Sequence, residues 1–286
     1  MKKIHKKLQL LLSLSIITNA YATNYNVQDY EIRSQADVDA LHPNGGQMNF
    51  KKRMIITKGG TYDFKNTLFY WNGPGTCGAP ENQPYIMRIS ASNVTVKNFG
   101  YKNAPDGIHI GTADDGQGYR YGDKITNIHL DNIKGWACEA GMHTQMGATD
   151  ILISNSVFRG NPNYAEADKI FQLNFSDVTF DNVQFYDSQV CVMFKGNQTI
   201  TIKNSYFSGC ERGVVGETLE GIMGHIGTGP SIAYSSNNVA DMPSTWFNWR
   251  NFLVANDSKI SIYSDQDVVK NGILCKANNG GHCYIK

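Results

Sequence analysis

The sequence is expected to fold as an all-β protein, a right-handed parallel β-helix: a solenoid with capped ends. Three observations lead there. A short phrase, apolar-x-apolar-x-Asn, returns five times and closes on Asn98, Asn132, Asn155, Asn182 and Asn204, at spacings of 34, 23, 27 and 22 residues. Self-similarity at such a period is the mark of a solenoid. Second, an apolar residue follows ten positions after four of these asparagines (Ile108, Met142, Val192, Val214), while the remaining coil reaches Ile170 about five residues late. Each coil therefore carries at least two short alternating strands and no helical periodicity. Third, an aromatic residue stands three positions past the Asn at Tyr101, Phe158, Phe185 and Phe207, which suits a stacked column.

Each element has a physical reason. One coil of short strands buries too little apolar surface alone, whereas stacked coils share a continuous core. Asn tolerates the left-handed bend that joins two strands, and its amide can bond a neighbouring backbone. Stacked at about 4.8 Å, such amides are expected to form an internal ladder.

Taken in order, the chain opens with Lys2, Lys3, Lys6 and Lys7 before the apolar run Leu8 to Ile17, then Ala20-Tyr21-Ala22. This is the pattern of a secretory signal peptide over residues 1–22, cleaved after Ala22, and it predicts a secreted protein, extracellular or periplasmic. Residues 23–286 are expected as a single β-helix domain, its regular coils at about 90–220. Residues 23–52 read as the first cap, since open solenoid ends need covering. Residues 54–56 and 62–64 read as a first irregular coil. Asn72 to Pro84 is a Gly- and Pro-rich loop, and Ala113 to Asp123 and Asn161 to Ala167 are long turns. Past Glu220 the phrase decays, so residues 221–286 read as a C-terminal cover. Ile232-Ala233-Tyr234 reads as the start of one more coil, and Trp246-Phe247-Asn248-Trp249 reads as an apolar cover or an aromatic sugar platform.

Composition narrows the partners. Without the leader the chain holds 22 basic against 25 acidic side chains. Mild acidity speaks against nucleic acid. After the leader no run of 18 apolar residues offers a membrane span. A monomer is expected. Six cysteines in an exported chain invite disulfides. Cys275 with Cys283 leads, and Cys191–Cys210 and Cys77–Cys138 are further pairs among 15 full pairings.

The second strands carry the chemistry: Asp106-Gly107-Ile108-His109, Glu139-Ala140-Gly141-Met142-His143, Asp168-Lys169-Ile170, Met193-Phe194-Lys195 and Glu211-Arg212-Gly213. With Ile108, Met142, Ile170 and Val192 inward, alternation puts His109, His143, Lys169, Met193 and Lys195 on the outer face. Carboxylates, imidazoles and lysines together suit β-elimination on a uronic-acid polymer, with Ca²⁺ masking the sugar carboxylate and a lysine as base. Hydrolysis instead needs two well-placed carboxylates, which this face supplies poorly even with the loop acids Asp114 and Asp115. A His109-Glu139-His143 metal site is a lesser alternative. Structural roles compete at each position: a turn at Asp106, a solvated acid at Glu139, a surface ion pair at Lys169, stacked imidazoles at His109 and His143.

At these residues the chain resembles the polysaccharide lyase family 3 pectate lyases, whose motifs Asp-Gly-Ile-His, Cys-Glu-Asp-Ala and Asp-Lys-Val-x-Gln-His-Asn occur in the same order. Here they stand as residues 106–109, Cys138-Glu139-Ala140 and Asp168-Lys169-Ile170-Phe171-Gln172-Leu173-Asn174, within roughly residues 90–220. The resemblance implies a calcium-dependent β-helix cleaving pectate by elimination. It implies Asp106 and Glu139 as Ca²⁺ ligands and Lys169 as catalytic or substrate-binding base. Three departures stand out: Ala140 replaces the family's second acid, Gln145 its strand-closing Lys, and Met193 its Arg. Lys195 or Arg212 is expected to substitute for that Arg, with His109, His143 and Arg212 binding substrate. The expected function is a secreted lyase of pectate or another uronan. The alternatives are a noncatalytic polysaccharide-binding or adhesion protein and a glycoside hydrolase on the same scaffold.

Overall fold

The computed structural model describes residues 27–41, 45–73, 85–112, 121–160, 169–217, 230–242 and 250–286. The leader, Cys77, Asp114, Asp115, Asp168 and the 246–249 aromatic stretch lie outside these. Every strand pairing is parallel and links one coil to the next, so the chain winds as a right-handed parallel β-helix. Each coil has three faces. On the first, residues 94–97, 128–131, 151–154, 178–181 and 200–203 stack in register. The second holds 100–102, 134–136, 157–159, 184–186 and 206–208. The third carries Tyr85–Ile89, Lys169–Asn174 and the ends of strands Val94–Ile110, Lys134–Thr144, Gln184–Lys195 and Tyr206–Glu217.

The bend between the first two faces is made by the recurring asparagines. Asn98, Asn132, Asn155, Asn182 and Asn204 have φ of 57°, 53°, 50°, 58° and 53°. They do stack: Asn132 Nδ2 donates to Asn98 Oδ1 at 2.7 Å, Asn182 to Asn155 at 2.9 Å, and Asn155 and Asn204 to Asp131 and Asp181 at 2.8 Å each. The ladder is on the outside, however, where an internal one was expected. The left-handed bend turns Asn outward and sends the next residue in: Ile133, Ser156, Val183, Ser205 and Asn238 are buried. Polar members of that inner column serve the neighbouring backbone, as where Ile133 N–H donates to Ser156 Oγ at 2.9 Å and Ser205 N–H to Asn238 Oδ1 at 2.8 Å.

The aromatic column forms as expected. Tyr101, Phe158, Phe185 and Phe207 are fully buried, with Phe69 below them, and Phe185 stacks on Phe207 at 4.4 Å between centroids. The coil of Asn132 has Gly135 in this column. A Cβ there would lie 2.5 Å from both the Tyr101 hydroxyl and Phe158 Cδ1, so the Tyr101 phenol fills the vacated space.

Both ends differ from expectation in extent. Strand Asp29–Ile32 already pairs with Arg53–Ile56, and Gly46–Phe50 with residues 67–71, so the first coil begins within the presumed cap. Between them the helix Gln35–Leu41 drives Val38 into the core. The Asp37 carboxylate caps it by accepting the Ser34 N–H at 2.9 Å. In the described parts of residues 221–286 the coils continue where a cover was expected. Strands Ser231–Ser236, Val239–Asp241, Asn251–Ala255, Ile260–Asp265, Val268–Lys270, Ile273–Ala277 and His282–Ile285 continue the same faces. Rung pairing holds the bend there at Asn237 (φ 53°) and Gln266 (φ 58°), although the sequence phrase has faded.

Cys275 joins Cys283 and Cys191 joins Cys210, with Cα separations of 6.2 and 6.0 Å. The second pair links successive coils. Cys138 is also disulfide-bonded, and its expected partner Cys77 lies outside the described residues.

Candidate functional site

The third face carries the expected site residues, and strand register decides which of them meet. Asp106 is level with Ala140, Ala140 with Lys169, Lys169 with Val190, and Val190 with Arg212. Beside this column, His109 is level with His143, His143 with Gln172, and Gln172 with Met193. Neighbouring rungs are about 4.8 Å apart. Asp106 and Lys169 are therefore two rungs apart, with the methyl of Ala140 between them.

The third rung corrects the expected alignment by one residue. Phe171, not Ile170, is level with Met142 and Val192, and Ile170 and Phe171 are both in the main core. Two successive inward residues break the alternation, because the strand turns a corner there. Lys169 accordingly falls in the column of Asp106, one column over from the histidines.

The site is tightly built. Asp106 is 6% exposed, and its Oδ1 accepts the Ala140 N–H at 3.1 Å, so this carboxylate ties one rung to the next and does not shape a turn. His109 is 2% exposed and meets the Tyr85 ring edge-on at 4.9 Å. Tyr85 is held by Arg53, whose guanidinium donates to its hydroxyl at 3.0 Å and pairs with Asp29 at 2.8 Å. His143 lies on the rung above His109, with its pKa pushed down to about 3, first by burial and then by positive charge at His109, Lys169 and Lys195. It is a neutral imidazole at neutral pH, a hydrogen-bonding group and not a proton shuttle. Lys169 is half-buried and Lys195 buried. Both amines bring positive charge within electrostatic range of that ring.

Beneath the site is a residue that sequence reasoning assigned to the core alone. The Tyr101 hydroxyl donates to the Gly141 carbonyl at 2.6 Å. Burial, and then the charge of Asp106, hold its proton well above the usual phenol range. Gly107 gives this hydroxyl room, since a Cβ there would collide with it. The Gly in Asp106-Gly107-Ile108-His109 is thus a packing requirement. Tyr85 escaped sequence reasoning, and Gln172, though part of the quoted 168–174 motif, was given no role; register brings both to this face.

The remaining expected residues are distributed more widely. Glu139 is in strand Lys134–Thr144 next to Ala140, and its side chain is outside the described residues. Gln145 is buried against Gly111 and closes its strand from within. Met193 is buried in a small apolar cluster with Val190, Val215 and Val254, separate from the main core. Arg212 stands two rungs beyond Lys169 in its column, while Met193 is level with Val215.

Calcium takes six to eight oxygen ligands. Among the described residues no group of three or more His, Cys, Asp or Glu side chains is placed to hold a metal ion, and Asp106 is the described carboxylate beside His109, His143 and Lys169. The side chain of Glu139, the other expected Ca²⁺ ligand and the middle member of the His109-Glu139-His143 alternative, lies outside the described residues, as does Asp168. Lysines and a neutral imidazole are what the arrangement offers to a negatively charged, hydroxyl-rich ligand.

No family model and no curated protein matches the chain. Among solved structures it is similar to the catalytic domain of pectate lyase PelI from Erwinia chrysanthemi, at 11% identity and a TM-score of 0.45, covering 90% of this chain and 100% of that one. It is also similar to the Dettilon tailspike protein (12% identity, 87% of this chain and 56% of that one, TM-score 0.37). A third likeness is to polygalacturonase from Erwinia carotovora ssp. carotovora (9% identity, 93% and 98% covered, TM-score 0.36). These likenesses concern the course of the chain and carry no argument about the site.

Proposed function

We propose that this is an exported, monomeric protein acting on an acidic polysaccharide, pectate or another uronan, as a β-eliminating lyase. The observation that carries the reading is that one face holds Lys169 in the column of Asp106, the His109–His143 pair in the column beside it, and Lys195 level with Asn174 on the rung after Lys169. The disulfides Cys191–Cys210 and Cys275–Cys283 support export.

In this reading Lys195 faces the sugar carboxylate and offsets its charge. Lys169, as the free amine, removes the proton from the ring carbon bearing that carboxylate and becomes the ammonium. The electron pair left behind forms the ring double bond, the bond from the adjacent carbon to the glycosidic oxygen breaks, and that oxygen takes up a proton from water. His143, uncharged, bonds a sugar hydroxyl. Asp106, through its bond to the Ala140 N–H, fixes the spacing of the two rungs that carry the histidines.

The test is ultraviolet absorbance of the unsaturated product on polygalacturonate. Lys169→Ala is expected to lower turnover at least about a hundredfold, in line with the loss of a general base, while far-ultraviolet circular dichroism stays unchanged. An equally active variant removes Lys169 from the mechanism. Absence of product from every uronan tried defeats the lyase reading. A noncatalytic binder is the second reading, favoured by Ala140 between Asp106 and Lys169. Uronan binding without new reducing ends selects it, and saturated products select a hydrolase.

A further inference from the structure

Beyond Lys169 the same outer face holds a second polar concavity. A pocket of about 280 Å³ is lined by Arg212, Asn251, Asn256, Lys276 and Asn278, with Val254 as apolar wall. Register assembles it from three successive rungs: Asn251 is level with Arg212, and Lys276 with Val254. Its volume sits at the small end of the roughly 300–1,000 Å³ usual for ligand pockets, about the size for one sugar ring.

One group in it asks for a partner. Asn251 is 5% exposed, and its Oδ1 is buried with no hydrogen-bond partner. A buried acceptor left unmet bears its full desolvation cost, and only a donor relieves it. Arg212 and exposed Lys276 add positive charge at the same walls. The complement is a ligand with both a hydroxyl donor and an anionic carboxylate, the two groups of a uronic acid.

The geometry points to this pocket as a subsite for one carboxylated sugar, reached by a chain that runs along the solenoid from the Lys169 site, about 10 Å away by rung count from Lys169 to Arg212. The assignment rests on the uronan reading above. It makes Arg212 a specificity residue remote from bond cleavage, with Asn251 and Lys276 as its partners.

The experiment is calorimetric titration of the full chain with hexagalacturonate and with its fully methyl-esterified, uncharged form. Lys276→Gln is expected to weaken hexagalacturonate about tenfold and leave the esterified hexamer unaffected. Asn251→Leu is expected to weaken both, with stability in urea unchanged or raised, because it removes an unmet acceptor and no internal bond. A stability loss together with unchanged affinity shows Asn251 to be structural and overturns the assignment, as does unchanged hexagalacturonate affinity in Lys276→Gln. If no unsaturated uronan product ever forms while both substitutions weaken hexagalacturonate as expected, the lyase reading falls and this subsite stands. If product forms and both variants keep wild-type affinity, the subsite falls alone.

Discussion

Acidification tests how His143 is held. The ordinary imidazole value is 6.5, and in the folded protein it is pushed down to about 3 by burial and the charges of His109, Lys169 and Lys195. The unfolded chain therefore takes up a proton at this residue, below about pH 6.5, that the folded chain refuses until about pH 3. A depressed folded-state value means the stabilisation is complete above the unfolded value and is lost as pH falls toward the folded one. At about pH 4.5, two units below the unfolded value, the loss from this one group is about 2–3 kcal/mol, at ~1.36 kcal/mol per unit. His143→Gln keeps a planar hydrogen-bonding side chain and removes the titration. Urea unfolding followed by circular dichroism, at about pH 7 and about pH 4.5, gives the double difference between wild type and variant in which other titrating groups cancel. The wild type should lose about 2–3 kcal/mol more than the variant between the two conditions. Equal losses, or an NMR titration of the His143 ring with a midpoint near its ordinary value, would refute the description of His143 as a partly buried, cation-flanked ring.

Two further expectations concern the scaffold under the site. Tyr101→Phe strips the Gly141 carbonyl of its buried donor and should cost about 1–3 kcal/mol, while Gly135→Ala pushes a methyl into the Tyr101 hydroxyl and Phe158 and should cost a similar amount; wild-type urea midpoints in both would contradict the packing described. Asn155 bends at φ 50° while bonding Asp131 and Asn182, so Asn155→Ala should lose about 1–2 kcal/mol and Asn155→Gly distinctly less; equal losses by thermal unfolding would mean that the ladder bonds, not the backbone angle, dominate.

Sequence alone determined the architecture here, because the information that specifies a coil is local and repeated. The apolar-x-apolar-x-Asn phrase carries its own strand and its own bend, and each copy reinforces the next. The aromatic column and the Cys191–Cys210 and Cys275–Cys283 pairs were legible for the same reason. Where the phrase fades, after Glu220, the coils persist, since a strand docked on a preceding rung inherits its conformation from the backbone bonds it makes.

What only the tertiary structure decided is which side chains stand level with one another. A one-residue slip at the third rung separates Ile170 from Phe171 as the partner of Met142, and with it assigns Lys169 to the column of Asp106. Strand alternation could not supply that answer, because two successive residues turn inward at the corner. Nor does any motif connect Arg212, Asn251 and Lys276. Their proximity exists only after the chain has wound three times past the same point, when stacking turns distance along the sequence into adjacency in space.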